Sequence, residues 1–232
     1  MCYSCAAMSH CPPSTIDELV LRARAFAGLR LGHVAAELDL AVPADLRRHK
    51  GWVGRLFEQI LGADGGSRAG ADFARLGVEL KTIPVNRAGR PLETTFVCSV
   101  PLANPDDVTW KTSTAYDKLK QVLWIPVLAE PDLRIADRMV GTALLWSPSP
   151  PQHRLLADDW RAHLDTIRRG YVENITADDG VALQIRPKAA SASSQTWCTG
   201  PDGESIMTLP RGFYLRRSFT ESLLAEHLAA VV

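Results

Sequence analysis

The run Val122-Leu-Trp-Ile-Pro-Val127 is apolar from end to end. Such a run reads as a β-strand buried on both faces, which requires covering layers on either side of its sheet. The chain is therefore expected to fold as a layered mixture of helices and strands. Its longest apolar stretches, this run and Leu19 to Leu21 among them, are far shorter than the ~20 residues needed to cross a bilayer, so no membrane span is expected.

The 232 residues can bury a sizeable core without disulfides, and 46% hydrophobic with 22% charged residues is the make-up of an ordinary globular protein. Lys and Arg together number 26, as do Asp and Glu. A polyanionic partner would then have to be held by a local basic patch rather than a global field. Two segments carry such a patch: Asp45 to Arg55 and Gln184 to Arg217 each have a net charge of +3. Residues Met1 to Ser14 have neither a basic start nor an apolar core, so they do not read as a secretory signal, and a cytoplasmic location is expected. Cys2 and Cys5 form a CxxC that His10 and Cys11 could complete as a zinc set. Closed zinc sites usually carry a second pair at loop-closing distance, so the simpler reading of residues 1–14 is a reduced, flexible tail.

Thr15 with Glu18 makes a capping box for a first helix that runs to Gly28, and Leu31 to Leu38 reads as a second. Asp45 is a candidate cap for a third segment, in which Trp52, Val53, Leu56, Phe57, Ile60 and Leu61 fall within about 180° of arc. Glu58 lies about 60° outside that stripe, where a carboxylate can look into a cleft while the helix stays packed. After the glycine-rich loop Gly62 to Gly70, alternation gives a strand over Val78 to Ile83. The turn Asn86 to Pro91 and a second strand over Glu93 to Val100 suggest a hairpin. Further strands are expected at Ala143 to Trp146, Leu183 to Arg186 and Gly212 to Leu215, with a helix over Arg154 to Arg169 and a last helix capped by Ser218 with Glu221. The fold class is α/β or mixed α+β around one mostly mixed sheet.

The segment Asp72-Phe-Ala-Arg-Leu-Gly-Val-Glu79-Leu-Lys81 carries the chemistry. On a strand Glu79 and Lys81 share one face while Val78 and Leu80 face the core. Asp72 and the helical Glu58 can bring further carboxylates beside Glu79. Carboxylates so close repel unless a cation neutralises them, and oxygen-only ligands suit Mg²⁺. With a lysine beside the ion, such a set is suited to hydrolysing a phosphodiester. On spacing alone, the same residues also describe a solvated strand edge.

The runs Lys50 to Ala63, Asp72 to Val85, Gly89 to Cys98, Leu119 to Val127, Leu144 to Pro148, Leu183 to Ala190 and Leu209 to Leu215 closely resemble, in order, the MutH family of DNA mismatch-repair endonucleases. The resemblance covers the chain from about residue 15 to the C-terminus, leaving out the tail and the loop Ser191 to Glu204. It implies a restriction-endonuclease-like fold of the PD-(D/E)xK superfamily over 15–232, a central mixed β-sheet flanked by helices. Two lobes would flank a DNA cleft, catalytic mainly over about 15–125 and recognition mainly over about 126–232. It implies nicking of the unmethylated strand at hemimethylated GATC, with Mg²⁺, for which Mn²⁺ can substitute, after activation by MutL. Asp72, Glu79 and Lys81 would be the catalytic core, Glu58 a further acidic group at the metal, and Lys118 a second lysine near the scissile phosphate. Ala71 stands where the superfamily often has Pro, which leaves the carboxylate ligand unchanged.

Among the remaining matched residues, Arg186, Pro187 and Lys188 resemble the family's recognition loop, and Arg can address guanine O6 and N7 bidentately. Tyr214 matches the position that senses the adenine methyl group, and Lys50, Gly51 and Phe96 look like further DNA contacts. Read without the resemblance, the Arg186 turn is equally a solvated hairpin, Tyr214 a half-buried core residue, and Phe96 a packing residue. A single copy of the motif favours a monomer that nicks. The alternatives are a stand-alone GATC restriction endonuclease and a methylation-reading DNA-binding module without catalysis.

Overall fold

A computed structural model describes residues 11–66, 70–103, 105–188 and 194–229, with side chains as far as residue 226. Cys2, Cys5 and His10 of the conjectured zinc set lie outside the described residues. The chain divides into two compact units, one from Met1–Arg87 with Val122–Leu145, the other from Ala88–Gln121 with Trp146–Val232. Each unit is thus made of two chain segments.

The first unit carries helices α1 (Ile16–Arg24), α2 (Leu31–Ala36) and α3 (Trp52–Leu61) and strands β1 (Glu79–Val85) and β3 (Val122–Leu128). Thr15 caps α1 by accepting from the Glu18 N–H, but the Glu18 carboxylate accepts from Ser14 N–H at 2.7 Å rather than closing the expected box. Asp45 does not cap α3. It accepts from the Arg47 N–H at 2.7 Å, and α3 starts instead after Gly51, whose φ of 75° only glycine adopts readily. The apolar stripe of α3 behaves as its spacing predicts: Leu56, Phe57, Ile60 and Leu61 are buried, with Phe57 edge-on to Phe26 at 6.0 Å. They share a core with Leu80 of β1 and Leu123, Ile125 and Val127 of β3.

β1 and β3 pair in parallel, with Glu79 opposite Val122 and Lys81 opposite Trp124. Strand β4 (Leu144–Trp146) lies on the other side of β3. The expected hairpin does not form: β2 (Thr95–Ser99) pairs with β8 (Arg211–Leu215), a strand far along the chain. The alternation of both segments was real. Which strand pairs with which was decided by burial, because β3 is apolar throughout and β1 buries Leu80, Ile83 and Val85 against such a partner.

In the second unit, β8 is the centre of an antiparallel sheet between β2 and β5 (Leu183–Pro187), and β6 (Thr196–Thr199) and β7 (Ser205–Thr208) form a separate two-stranded ribbon. Among the described residues, three small sheets thus stand where one mixed sheet was expected. Helix α4 (Thr114–Leu119) packs on β2, and α5 (Pro150–Arg168) on β5. α5 begins four residues before its expected start at Arg154, because Ser149 and Gln152 close a capping box and proline suits the first helical position. α6 (Arg217–Ala229) begins before Ser218, which lies inside the helix rather than at its cap.

α5 fixes the entry to β5 through two side chains one turn apart. Buried Asp159 accepts from the N–H groups of Val181 at 3.0 Å, Ala182 at 2.6 Å and Leu183 at 2.8 Å, and the His163 Nε2 donates to Leu183 O at 2.9 Å. Replacing Asp159 by Ala strands these donors. The expected outcome is a loss of about 3 kcal/mol of stability, read as a lower urea midpoint with an unchanged m-value. A midpoint within experimental error of the parent's would show that water replaces the carboxylate at no cost.

Candidate active site and nucleic-acid interface

Alternation along β1 sends Leu80 into the core of the first unit and Glu79 and Lys81 to the opposite face. The two side chains meet there, with the Lys81 Nζ donating to the Glu79 Oε1 at 2.6 Å. Glu79 is only 1% exposed, and Lys81 is 16% exposed at its side chain. A solvated strand edge, the plain alternative reading of this segment, does not describe a carboxylate so deeply buried.

Asp72 joins them through the backbone. The chain turns at Phe73, which bridges to Val78, and this brings the Asp72 Oδ2 to accept from the Leu80 N–H at 2.9 Å. The glycine-rich loop holds the turn from the other side: the N–H groups of Asp64 and Gly65 donate to Asp72 O at 3.1 and 2.8 Å. The approach leaves no room for a side chain at Gly65, where a Cβ would lie 2.4 Å from Ala71 O and 2.8 Å from Asp72 O.

Glu58 completes the group from α3. Burial pushes its carboxyl above the ordinary value, and the charges of Asp72 and Glu79 push it further, against the pull of Lys81 and Arg55. Three carboxylates and an ammonium therefore form one coupled electrostatic group in the first unit. Gly54, one turn before Glu58, would place a Cβ 3.7 Å from its Oε1 and 4.0 Å from Thr82 Oγ1, so α3 passes close to β1 at this point. Lys50 and Gly51 also belong to this unit, exposed at the N-terminal end of α3, with Lys50 O accepting from the Arg55 Nη1 at 3.1 Å.

The remaining candidates belong to the second unit. Lys118 is half-buried on α4. Phe96, Tyr214, Arg186, Pro187 and Lys188 sit on the three adjacent strands β2, β8 and β5 and the residue that follows β5. Phe96 pairs with Tyr214 across the strands, their rings 5.3 Å apart and inclined by 64°. The Lys188 Nζ stands 3.4 Å from the centre of the Phe96 ring, a cation–π contact. Arg186 is exposed and donates from its Nη1 to Thr94 Oγ1 at 3.3 Å, a partner 92 positions earlier in the chain. Burial raises the Tyr214 hydroxyl above its ordinary value, opposed by the Arg186 charge, so at neutral pH it remains a donor.

The raised Glu58 carboxyl has a consequence for stability. A carboxyl whose folded pKa exceeds its unfolded one favours the fold while both are protonated, and that contribution is lost as pH rises through the folded value. Glu58→Gln, neutral at every pH, should therefore match the parent's melting temperature in acid and exceed it at neutral pH. Thermal melts across this range check the sign, and a parent that is the more stable of the two at neutral pH would contradict the repulsion.

Comparison with known proteins adds the family. The family model described as DNA mismatch repair enzyme MutH matches residues 61–159. The DNA mismatch repair protein MutH of Escherichia coli strain K12 is 53% identical over 216 residues, covering 93% of this chain and 94% of the relative, and that of the O157:H7 strain EC4115 matches to the same extent. With such identity along nearly its whole length, this chain belongs to the MutH family of DNA mismatch repair enzymes.

Proposed function

We propose that this protein is the Mg²⁺-dependent endonuclease of methyl-directed mismatch repair, nicking the unmethylated strand at hemimethylated GATC as a cytoplasmic monomer activated by MutL. The observation that carries the reading is the buried Glu79 carboxylate paired with Lys81 on β1, with Asp72 tied to the same strand through the Leu80 N–H. Within residues 15–232 the first unit would supply cleavage and the second the reading of the site.

The donor set suits a hard cation. Burial and the charges of Asp72 and Glu79 raise the proton affinity of Glu58, and all the ligand atoms are oxygens. Among the described residues no group of three or more acidic, His or Cys side chains is placed to hold a metal ion. Mg²⁺ needs none, because it binds through one or two carboxylates and keeps several waters. Asp72 and Glu79 would hold the ion, with Glu58 beside them, and Mn²⁺ could take the same oxygens. Bound there, it supplies neutralisation of the phosphate charge and acidification of a water.

The chain's own groups have distinct parts. The Leu80 N–H keeps the Asp72 carboxylate turned toward β1, so its oxygen does not have to be ordered when the substrate arrives. The Lys81 ammonium, already beside Glu79, donates to the attacking water or to a phosphate oxygen and stabilises the charge that grows there. Glu58, with its raised proton affinity, takes a proton at its carboxylate oxygen. Lys118 contacts the phosphate backbone near the cut. In the second unit Arg186 and Lys188 donate to base edges with Pro187 shaping the turn, Tyr214 lies against the adenine N6 edge, and Phe96 supports it, while Lys50 and Gly51 approach DNA from the start of α3.

Strand-resolved cleavage of hemimethylated, unmethylated and fully methylated GATC duplexes, with and without MutL, tests the whole reading. Linear product from supercoiled plasmid would favour paired restriction cutting, and a gel shift without cleavage would favour a binding module. Asp72→Ala or Glu79→Ala should abolish nicking with DNA binding largely kept, as should Ca²⁺ in place of Mg²⁺. Lys81→Ala should lower the turnover rate by about 10²–10³ with a much smaller change in affinity. Undiminished nicking by the Asp72 or Glu79 variant, or rate and affinity lost in step at Lys81, would remove these residues from the chemistry.

A further inference from the structure

Between Phe96 and Tyr214 lies a residue with no side chain. Gly212 occupies β8 two residues before Tyr214 and on the same face, and it pairs with Ser99 of β2 and Arg186 of β5. A Cβ there would stand 2.8 Å from Phe96 Cε2, 3.1 Å from Tyr214 Cε2 and 3.3 Å from Phe96 Cδ2. Its φ is not positive, so the requirement for glycine is steric and not one of backbone conformation. The pairing of β2 with β8 slips between Phe96 and Cys98, an irregularity of the kind that re-aims a side chain. The Phe96 ring lies in the space above Gly212, meets Tyr214 edge-on, and carries the Lys188 ammonium on its face.

We infer that Gly212 is a positioning residue for methyl discrimination: by leaving its place on β8 empty it seats the Phe96 ring, and through that ring sets the attitude of Tyr214 and Lys188 toward the base edges. This rests on the reading of Tyr214 and its neighbours as the DNA-reading group. A strand-interior glycine otherwise weakens a sheet, and close approach by another group is a recurrent reason for one. Here the approaching group is an aromatic ring whose other contacts are two of the residues proposed to read the site. Methyl discrimination is then a property of the seated group, and Tyr214 does not read alone.

The test is strand-resolved nicking of a hemimethylated GATC duplex, with Mg²⁺ and MutL, by the parent, Gly212→Ala, Phe96→Leu and the double variant. Gly212→Ala should lower the ratio of unmethylated-strand to methylated-strand nicking about tenfold, within the range one good base-edge contact commands, and should slow nicking of a fully unmethylated duplex much less. In the Phe96→Leu background, where the 2.8 Å collision is gone and only the milder 3.1 Å approach to Tyr214 Cε2 remains, the same glycine substitution should lower the ratio far less than it does in the parent, since residues acting through one contact are not additive. A Gly212→Ala protein with the parent's ratio, or effects that multiply independently in the double variant, would overturn the inference. Should Gly212→Ala alone not fold, the double variant decides: it should fold, and its failure to do so would place the collision elsewhere and overturn the inference as well. A parent with no strand preference would instead bring down the underlying function, a result visible before any variant is made.

Discussion

The Glu79 carboxylate is nearly sealed from solvent, and the rest of the first unit is arranged so that it can be. An ionised carboxylate removed from water costs several kcal/mol unless it is paired and hydrogen-bonded. The Lys81 ammonium at 2.6 Å supplies the pairing, from two residues along the same strand. That solution works only on a strand held straight, and β1 is held by its parallel register with β3, itself buried in the core under α1 to α3. Asp72 is tied to the same strand through the Leu80 N–H, so its position follows from that of β1. The cost appears at Glu58, whose carboxyl is raised by burial and by its two acidic neighbours. Repulsion kept in a fold at one place is characteristic of a site built to receive a cation or a proton.

The second unit keeps the side chains proposed to read DNA in order by other means. Its devices are a sheet in which β8 is flanked on both sides, backbone anchors from α5 at the start of β5, and aromatic packing across β2 and β8. Asp159 and His163 anchor the backbone at the start of the strand that carries Arg186, so the turn at Arg186 to Lys188 starts from a fixed end. Phe96, Tyr214 and Lys188 then order one another through ring and cation contacts that need little backbone support. Membership of the MutH family makes the protein as a whole a DNA mismatch repair enzyme.

Local chemistry was legible in the residues. The alternation of Val78 to Lys81, the stripe on α3 and the place of Glu58 beside it each depend on neighbours one or two turns away, and each is found where its spacing puts it. Errors came where a local signal had more than one use. Asp45 reads as a helix cap and caps a turn; the helix expected from Arg154 opens already at Pro150; two adjacent strands with a turn between them read as a hairpin and belong to different sheets. The contacts of Gly212 with Phe96 and of Thr94 with Arg186 are not legible in the sequence, because each partner lies far along the chain. A glycine in a strand announces that something comes close, without saying what.

By itself the sequence determined the chemistry that each strand and helix could offer: an acid and a base on one face of β1, a carboxylate beside the stripe of α3, and an arginine, a lysine and a tyrosine on strands that match one family in order. These follow from periodicity, which is a property of a few consecutive residues. The tertiary structure alone decided how far each group would be buried and what it would face. Glu79 became a sealed carboxylate rather than a surface one, β1 took β3 as its partner rather than β2, and Phe96 came to lie over Gly212, 116 positions along the chain. Burial and long-range pairing are settled by the whole core at once, through apolar area that no single segment contains, and so no window of sequence could carry them.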